Sequence, residues 1–175
     1  NYKQLSDMAK IADAVGVDIL QFQHQWFTED HVAKAHTAYT KEKFGIESHY
    51  ADGFRNYVTG KIDSEKFVEE IRRVKNESHR VDVRFYPDLE EKDVRPYYEK
   101  STNVVYNDAC GNPWWSMIIK PNGNVMPCIE WTVGNVAKEK FTDIWNNEHM
   151  KKFRAQINKD KFFAGCTRCC GFFQK

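Results

Sequence analysis

Between two of its cysteines the chain reads CGNPWWSMIIKPNGNVMPC, a segment that spans Cys110 to Cys128. The run Trp115 to Lys120 is rich in apolar and β-branched residues, which predicts a short strand. Pro121-Asn122-Gly123 is typical of a tight turn, and Val125 to Ile129 is expected to return antiparallel to the first strand. Because a hairpin brings its two ends together, we expect Cys110 and Cys128 to lie close to each other.

Two more cysteines stand near the end of the sequence in Cys166-Thr-Arg-Cys169, and a fifth follows at Cys170. A C-x2-C turn directs two sulfurs and several backbone N–H groups toward one ion or cluster. Disulfides are disfavoured, because the count of 5 cysteines is odd and no signal peptide is visible. Zinc accepts four thiolates but usually sits between two C-x2-C knuckles, whereas an iron–sulfur cluster accepts ligands from separate elements, so both metals stay open.

Aromatic residues make up 14% of the sequence, and many of them lie near the cysteines. A net charge of +1 gives no basic surface for nucleic acid, so these rings are expected to pack in the core and around the site rather than stack on bases. The residues expected to form an apolar shell that limits access of water are Trp114, Trp115, Trp131, Phe162, Phe163, Phe172 and Phe173.

The order of these features resembles the auxiliary-cluster domain of radical S-adenosylmethionine (radical SAM) enzymes, the SPASM/twitch family. That domain combines a C-x(9–15)-G-x4-C hairpin, a Gly-Asn pair, an Ile-Trp-Asn helix and a late C-x2-C. The matching segments here are Cys110 to Cys128 around Gly123, Gly134-Asn135, Ile144-Trp145-Asn146 and Cys166 to Cys169. The resemblance implies the one-cluster twitch form, with Cys110, Cys128, Cys166 and Cys169 as ligands of an auxiliary 4Fe-4S cluster and Cys170 as a substitute for Cys169.

The C-x3-C-x2-C motif that cleaves S-adenosylmethionine in this family does not occur in the sequence, whose first cysteine is Cys110. Because the first residue is Asn1 rather than Met, we expect the C-terminal part of a longer enzyme, with a missing N-terminal barrel half as its partner. S-adenosylmethionine and a second 4Fe-4S cluster are implied only for that full-length enzyme. No catalytic residue is identified, and a reductant such as flavodoxin or ferredoxin is a further expected partner.

Residues 1–100 alternate helices and strands, as a β/α barrel does. The expected elements are a helix capped by Ser6-Asp7 and ended by Gly16, a strand from Val17 to Phe27, a helix from Thr28 to Gly45, a helix capped by Asp63-Ser64, and a strand from Val81 to Pro87. We therefore predict an α/β fold, in which residues 1–100 are the last β/α units of a partial, TIM-like radical SAM barrel. Residues 101–175 are predicted to form a small α+β twitch domain of a β-hairpin and a helix.

Barrel active sites form at the C-terminal ends of the strands. On the first strand this makes Gln23 and His24 substrate candidates, and on the second strand it makes Arg84 one. Gln23 is the preferred candidate, because its amide both donates and accepts hydrogen bonds. The substrate class stays open between a peptide and a small molecule.

Three hypotheses of different classes follow from the sequence. The first is the auxiliary-cluster region of a radical SAM enzyme, whose cluster transfers electrons or positions substrate. The second is a standalone iron–sulfur electron carrier, and the third is a zinc-stabilised interaction module. No apolar run approaches the roughly 18 residues of a membrane span, and free cysteines without a signal peptide favour the cytoplasm.

Overall fold

A computed structural model describes residues 1–55, 61–105, 109–128, 131–169 and 172. The helices are α1 (Leu5–Val15), α2 (Asp30–Phe44), α3 (Ser64–Asn76), α4 (Glu91–Glu99), α5 (Phe141–Trp145) and α6 (Glu148–Asp160). The strands are β1 (Ile19–Gln23), β2 (Asp82–Tyr86), β3 (Ile118–Ile119), β4 (Asn124–Met126) and β5 (Gly134–Asn135). Within the described ranges, no helix combines the length and the apolar character that crossing a membrane requires.

The chain divides into two compact units that do not follow the order of the sequence. Unit 1 contains Asn1–Trp26 and Tyr57–Tyr106, and unit 2 contains Phe27–Asn56 and Asn107–Lys175. The segment that carries α2 therefore belongs with the cysteine-rich C-terminal residues. The mixture of helices and small sheets agrees with an α/β fold, and the predicted domain boundary near residue 100 stays a prediction.

Unit 1 is built on a pair of parallel strands. β1 and β2 pair in register from Ile19 opposite Asp82 to Gln23 opposite Tyr86. The predicted strand from Val17 to Phe27 is therefore too long at both ends. Two parallel strands with intervening helices are the unit from which a β/α barrel repeats, so the local pattern was predicted correctly.

The start of α1 differs from its prediction. The helix begins at Leu5 without a side-chain cap, so the predicted Ser6-Asp7 cap is wrong. Ser6 is buried instead, where its N–H donates to Glu70 Oε2 (3.3 Å) and its hydroxyl donates to Glu77 Oε2 (2.7 Å) on and just after α3. Gly16 ends the helix with φ 77°, a left-handed conformation that favours glycine, as predicted.

The apolar residues of α1 are only partly buried. Leu5 and Ala12 are buried, but Ile11 is 62% exposed and Val15 is 71% exposed. Val17 and Ile19, which follow along the chain, are also exposed. Unit 1 thus exposes four large apolar side chains between residues 11 and 19.

Of the two remaining helices of unit 1, α3 was predicted from the sequence and α4 was not. Asp63 caps α3 as predicted, since its carboxylate accepts a hydrogen bond from the Lys66 N–H (3.2 Å). The buried face of that helix carries Phe67, Ile71 and Val74. α4 was not predicted, because it contains Pro96 and begins among charged residues, yet Tyr97 is completely buried.

Unit 2 combines α2 with the hairpin and the last two helices. α2 lies within the predicted Thr28 to Gly45 and ends at Gly45, with φ 73°. A short 3-10 helix, Tyr50–Phe54, follows α2, and residues 56–60 lie outside the described ranges. The buried core of this unit contains Val125, Trp131, Val133, Ile144, Met150, Phe153, Ile157 and Phe163.

The hairpin forms where the turn chemistry predicts it, although its strands are shorter. β3, β4 and β5 make a three-stranded antiparallel sheet. Gly123 occupies the turn with φ 83°, and a Cβ there would lie 2.7 Å from Asn135 Oδ1, so this position requires glycine. Trp115 lies outside any strand, and Ile129 lies outside the described residues.

Candidate metal centre

Cys110 is held at the beginning of the hairpin segment by backbone hydrogen bonds. Its N–H donates to the carbonyl oxygen of Lys161 (2.9 Å), just after α6. The backbone N–H of Asn112 donates to the Cys110 sulfur, which favours the thiolate form. Asn112 also opens a short 3-10 turn, Asn112–Trp114, which turns the chain toward β3.

Cys128 lies at the other end of the hairpin, as the sequence predicts. It forms an isolated antiparallel bridge with Trp131, whose N–H donates to the Cys128 carbonyl oxygen (3.2 Å). The side-chain amide of Asn112 donates to the carbonyl oxygen of Pro127 (3.3 Å). This bond joins the residues next to Cys110 and Cys128, so it ties the two ends of the hairpin together.

The C-x2-C segment forms a 3-10 helix, Ala164–Arg168, that contains Cys166 and ends at Cys169. The N–H of Phe163 donates to the Cys166 sulfur (3.3 Å), and the N–H of Cys169 donates to the Cys166 carbonyl oxygen (2.9 Å). The sulfur atoms of Cys110 and Cys166 therefore each accept a hydrogen bond from a backbone N–H. Such bonds stabilise negative charge on sulfur, as metal-bound thiolates require.

All four predicted ligands border one cavity of about 160 Å³. Its apolar walls include Pro113, Ile118, Phe153, Ile157, Phe163 and Phe172. The thiols of Cys110, Cys128, Cys166 and Cys169 are all free of disulfides. Within the part of the chain that the structure describes, no three His, Cys, Asp or Glu side chains form a group that could hold a single metal ion.

Burial makes the thiolate forms of Cys110 and Cys166 costly in the protein alone. Burial raises the pKa of Cys110 above its usual value. Burial also raises the pKa of Cys166, and the neighbouring sulfurs of Cys128 and Cys110 raise it further. A cationic iron centre among these sulfurs would offset both effects, so the donor set and its surroundings fit an iron–sulfur cluster.

The predicted aromatic shell is only partly correct, and Trp131, which is buried and forms a bridge with Cys128, is one of its confirmed members. Phe163 and Phe172 border the cavity, and Phe162 packs against Phe172 with ring centroids 5.3 Å apart. Trp114 and Trp115 are 41% and 53% exposed, so they do not form part of a buried shell. They precede a strand of only two residues, which leaves their rings outside the sheet. Phe173 and the alternative ligand Cys170 lie outside the described residues.

Two arginines near the site were not predicted to have a structural role. Arg154 on α6 donates through Nε to the Pro113 carbonyl oxygen (2.9 Å), and its guanidinium stacks on the Trp145 ring at 4.9 Å. Arg168, inside the C-x2-C, is buried with its guanidinium 5.0 Å from the centre of the Phe27 ring. Its Nη1 also donates to the carbonyl oxygen of Thr167 (2.7 Å), and nothing in the local sequence indicated that this cation would be buried.

The substrate candidates lie in unit 1, where Gln23 and His24 border a cavity of about 360 Å³. His24 Nδ1 lies 2.8 Å from Tyr98 Oη, which also accepts a hydrogen bond from the Gln25 N–H (3.3 Å). Burial lowers the pKa of His24 to about 4, so the ring is neutral near pH 7.

Arg84 is placed differently from the other two candidates. It does not border the cavity that Gln23 and His24 line in the described ranges. Its guanidinium pairs with Asp82, with 2.8 Å between Nε and Oδ2. The structure therefore brings together two of the three substrate candidates.

Comparison with known proteins identifies one region of the chain. Residues 110–170 match the family model of SPASM, an iron–sulfur cluster-binding domain. The match begins at Cys110, includes Cys128, Cys166 and Cys169, and is consistent with a SPASM/twitch domain of a radical SAM enzyme. It implies that this region binds an iron–sulfur cluster. Searches of curated proteins and of solved structures returned no match.

Proposed function

We propose that the SPASM region of this chain holds one auxiliary 4Fe-4S cluster through Cys110, Cys128, Cys166 and Cys169. The observation that carries the proposal is that all four thiols border one cavity of about 160 Å³ inside the matched residues. Four cysteine thiolates are the usual ligands of a 4Fe-4S cluster. Backbone N–H donors at two of the sulfurs and the largely apolar walls supply the surroundings that such a cluster needs.

The bound cluster would serve the radical modification of a peptide or a small molecule by transferring an electron to or from the substrate. We favour electron transfer over substrate positioning because four protein ligands leave no iron with an open position for substrate. The chain's own contribution is to exclude water with apolar walls. Exclusion of water affects the reduction potential of an iron–sulfur centre.

The proposal extends to a partial radical SAM barrel around unit 1. The parallel pairing of β1 and β2 supports it, and so does the exposed apolar stretch of Ile11, Val15, Val17 and Ile19. Preceding β/α units would cover that stretch and supply the C-x3-C-x2-C motif, S-adenosylmethionine and the second cluster. The cavity beside Gln23 and His24 would then receive substrate. We further propose a cytoplasmic location, with a flavodoxin or ferredoxin as reductant.

Single cysteine-to-serine variants test the ligand assignment. After anaerobic reconstitution with iron and sulfide, the variants at residues 110, 128, 166 and 169 should each lose iron or bind it unstably. Cys170→Ser is the matched control and should retain the cluster if Cys169 is the ligand. Full and stable iron binding in any of the four variants would remove that cysteine from the ligand set. Loss in Cys170→Ser together with retention in Cys169→Ser would exchange the two residues.

Two alternatives give different results in the same preparation. A standalone electron carrier would hold the same cluster but would not associate with a radical SAM half-barrel added in trans. A zinc-stabilised interaction module would contain zinc and no inorganic sulfide. Metal and sulfide content therefore separates the third hypothesis from the first two, and association with the half-barrel separates those two from each other.

A further inference from the structure

The helix α6 contacts the hairpin segment on both sides of Cys110. Just after the helix, the carbonyl oxygen of Lys161 accepts a hydrogen bond from the Cys110 N–H (2.9 Å). From within the helix, Arg154 Nε donates to the carbonyl oxygen of Pro113 (2.9 Å). Cys110 and Pro113 both border the cavity that the four cysteines share. The backbone before and after one proposed ligand is therefore held by a helix that lies far from it in the sequence.

The direction of the Arg154 side chain is fixed by the end of α5. Its Nη1 donates to the carbonyl oxygen of Trp145 (3.0 Å) and to Asn146 Oδ1 (3.0 Å). The guanidinium also lies 4.9 Å from the centre of the Trp145 ring, within the range of a cation–π contact. Because a guanidinium is planar and carries its donors in a rigid fork, these contacts also set the direction of Nε. Trp145 and Asn146 thus orient Arg154 toward Pro113.

Lys161 has an unusual backbone conformation where it meets Cys110. Its φ is 70° and its ψ is −48°, values that residues other than glycine rarely adopt. Such a conformation costs free energy and persists only where the surroundings fix it. Here the Lys161 N–H donates to the carbonyl oxygen of Ile157 (2.7 Å), while its own carbonyl oxygen accepts from Cys110. The strained residue therefore presents the acceptor that holds the Cys110 N–H.

The turn between Cys110 and Pro113 is tightly packed. The Asn112 N–H donates to the Cys110 sulfur, so the sulfur is tied to the turn that follows it. A Cβ at Gly111 would lie 3.1 Å from Cη2 of Trp115, so the indole lies close to the backbone beside Cys110. Because the turn is this short, a displacement of Pro113 also displaces the Cys110 sulfur. Ligands must be held within about 0.5 Å of their productive geometry, so the displacement matters for binding.

We propose that α6 positions Cys110 on the cluster, with Arg154 fixing the turn after this ligand and the Lys161 carbonyl fixing its N–H. This inference rests on the proposed cluster and deepens it. The hydrogen bonds of Arg154 run to the hairpin turn and to the end of α5, whereas Cys166 and Cys169 belong to a separate 3-10 segment. Loss of Arg154 therefore weakens the bond between Cys110 and its iron and leaves the other ligands in place.

Weak ligation at one iron has a measurable consequence. Ferricyanide takes one electron from a 4Fe-4S cluster, which passes from charge 2+ to 3+ while ferricyanide becomes ferrocyanide. The oxidised cluster then releases its least firmly held iron as Fe²⁺ and becomes a 3Fe-4S cluster of charge 1+, so iron, sulfide and charge balance. The product gives an electron paramagnetic resonance signal that the starting 2+ state lacks. General loosening of the site would instead release iron and sulfide together.

The test follows iron, acid-labile sulfide and this signal in reconstituted variants after addition of ferricyanide. Arg154→Gln removes the guanidinium, and Arg154→Lys keeps the charge without the planar fork. Lys151→Gln is the matched control, because it also removes a positive charge from α6 but pairs only with Glu148 of the same helix among the described ion pairs (2.8 Å). We expect both Arg154 variants to form the 3Fe-4S cluster roughly 10-fold faster than the wild type, with sulfide retained. The control should convert at the wild-type rate.

The ligand that loses its iron can be identified directly. When converted Arg154→Gln is treated with iodoacetamide and digested, mass spectrometry shows which thiol has become free. We expect the label at Cys110, while Cys128, Cys166 and Cys169 stay protected by the remaining three irons. A label at one of those three cysteines, or at none of the four, would overturn the inference.

The possible outcomes separate this inference from the proposed function. If both Arg154 variants convert at the rate of Lys151→Gln, the inference is wrong and the cluster proposal stands. If the wild-type chain binds no iron with sulfide, both are wrong. If the Arg154 variants fail to fold or lose iron and sulfide together, Asn146→Ala decides, because it removes one exposed acceptor of Arg154. Faster loss of iron alone in Asn146→Ala supports the inference, and the wild-type rate overturns it.

Discussion

Acidification should destabilise unit 1 through His24. This side chain is buried, and burial lowers its pKa from 6.5 to about 4. Between those two pH values the unfolded chain binds a proton at this residue and the folded chain does not. The free energy of unfolding therefore falls as the pH falls through this window, and the stabilisation is complete only above pH 6.5.

The size of the effect follows from the two pKa values. One pKa unit corresponds to about 1.4 kcal/mol, and proton linkage with these values predicts a loss of about 2 kcal/mol between pH 7 and pH 5. Denaturation by urea, followed by circular dichroism at both pH values, measures the loss. His36 is also buried and has a lowered pKa, so the comparison must isolate His24.

A pair of variants isolates the contribution. In His24→Gln the ionisable group is absent, while the side-chain amide can still form a hydrogen bond with the Tyr98 hydroxyl, so the loss between pH 7 and pH 5 should be smaller by about 2 kcal/mol than in the wild type. His31→Gln replaces an exposed histidine and should keep the wild-type pH dependence. If His24→Gln loses as much stability as the wild type, His24 is not held neutral by burial and the reasoning fails.

Three further substitutions test the fold and the site. Cys128→Ser should lower iron and sulfide content and loosen the C-terminal region, because ligand binding energy is also folding energy; unchanged melting of the loaded protein would contradict this. Gly134→Ala should lower the free energy of unfolding by roughly 1–3 kcal/mol, since its Cβ would lie 2.9 Å from two carbons of the buried Ile144. Gly53→Ala is the control, because a Cβ at Gly53 would have no atom within 4 Å. Asp63→Ala should destabilise α3 by about 1 kcal/mol in urea denaturation, and no change would refute the cap.

Local chemistry explains which parts of the fold could be predicted from the sequence. The turn at Gly123, the helix ends at Gly16 and Gly45 and the cap at Asp63 each depend on the backbone preferences of one residue and its neighbours. The cysteine spacing likewise predicted that Cys110 and Cys128 would meet, because a hairpin alone brings them together. Such features need no knowledge of the rest of the chain.

Features that depend on distant packing could not be predicted in this way. Ser6 has the chemistry of a helix cap, but its hydroxyl donates to Glu77, 71 residues away. α4 forms despite Pro96, because its tyrosines are buried in unit 1. α2 packs against the C-x2-C, where the Gly165 N–H donates to His36 Nδ1 (3.2 Å), and nothing in the spacing of the cysteines indicates that α2 belongs to unit 2.

The central claim is tested most directly by measuring iron, zinc and acid-labile sulfide in the chain. The chain is purified without oxygen and then reconstituted with iron and sulfide before the measurement. A 4Fe-4S cluster held by Cys110, Cys128, Cys166 and Cys169 predicts about four iron and four sulfide per chain, with a brown colour that is lost in the single serine variants. About one zinc per chain without sulfide would contradict the account and leave a zinc-stabilised module in its place.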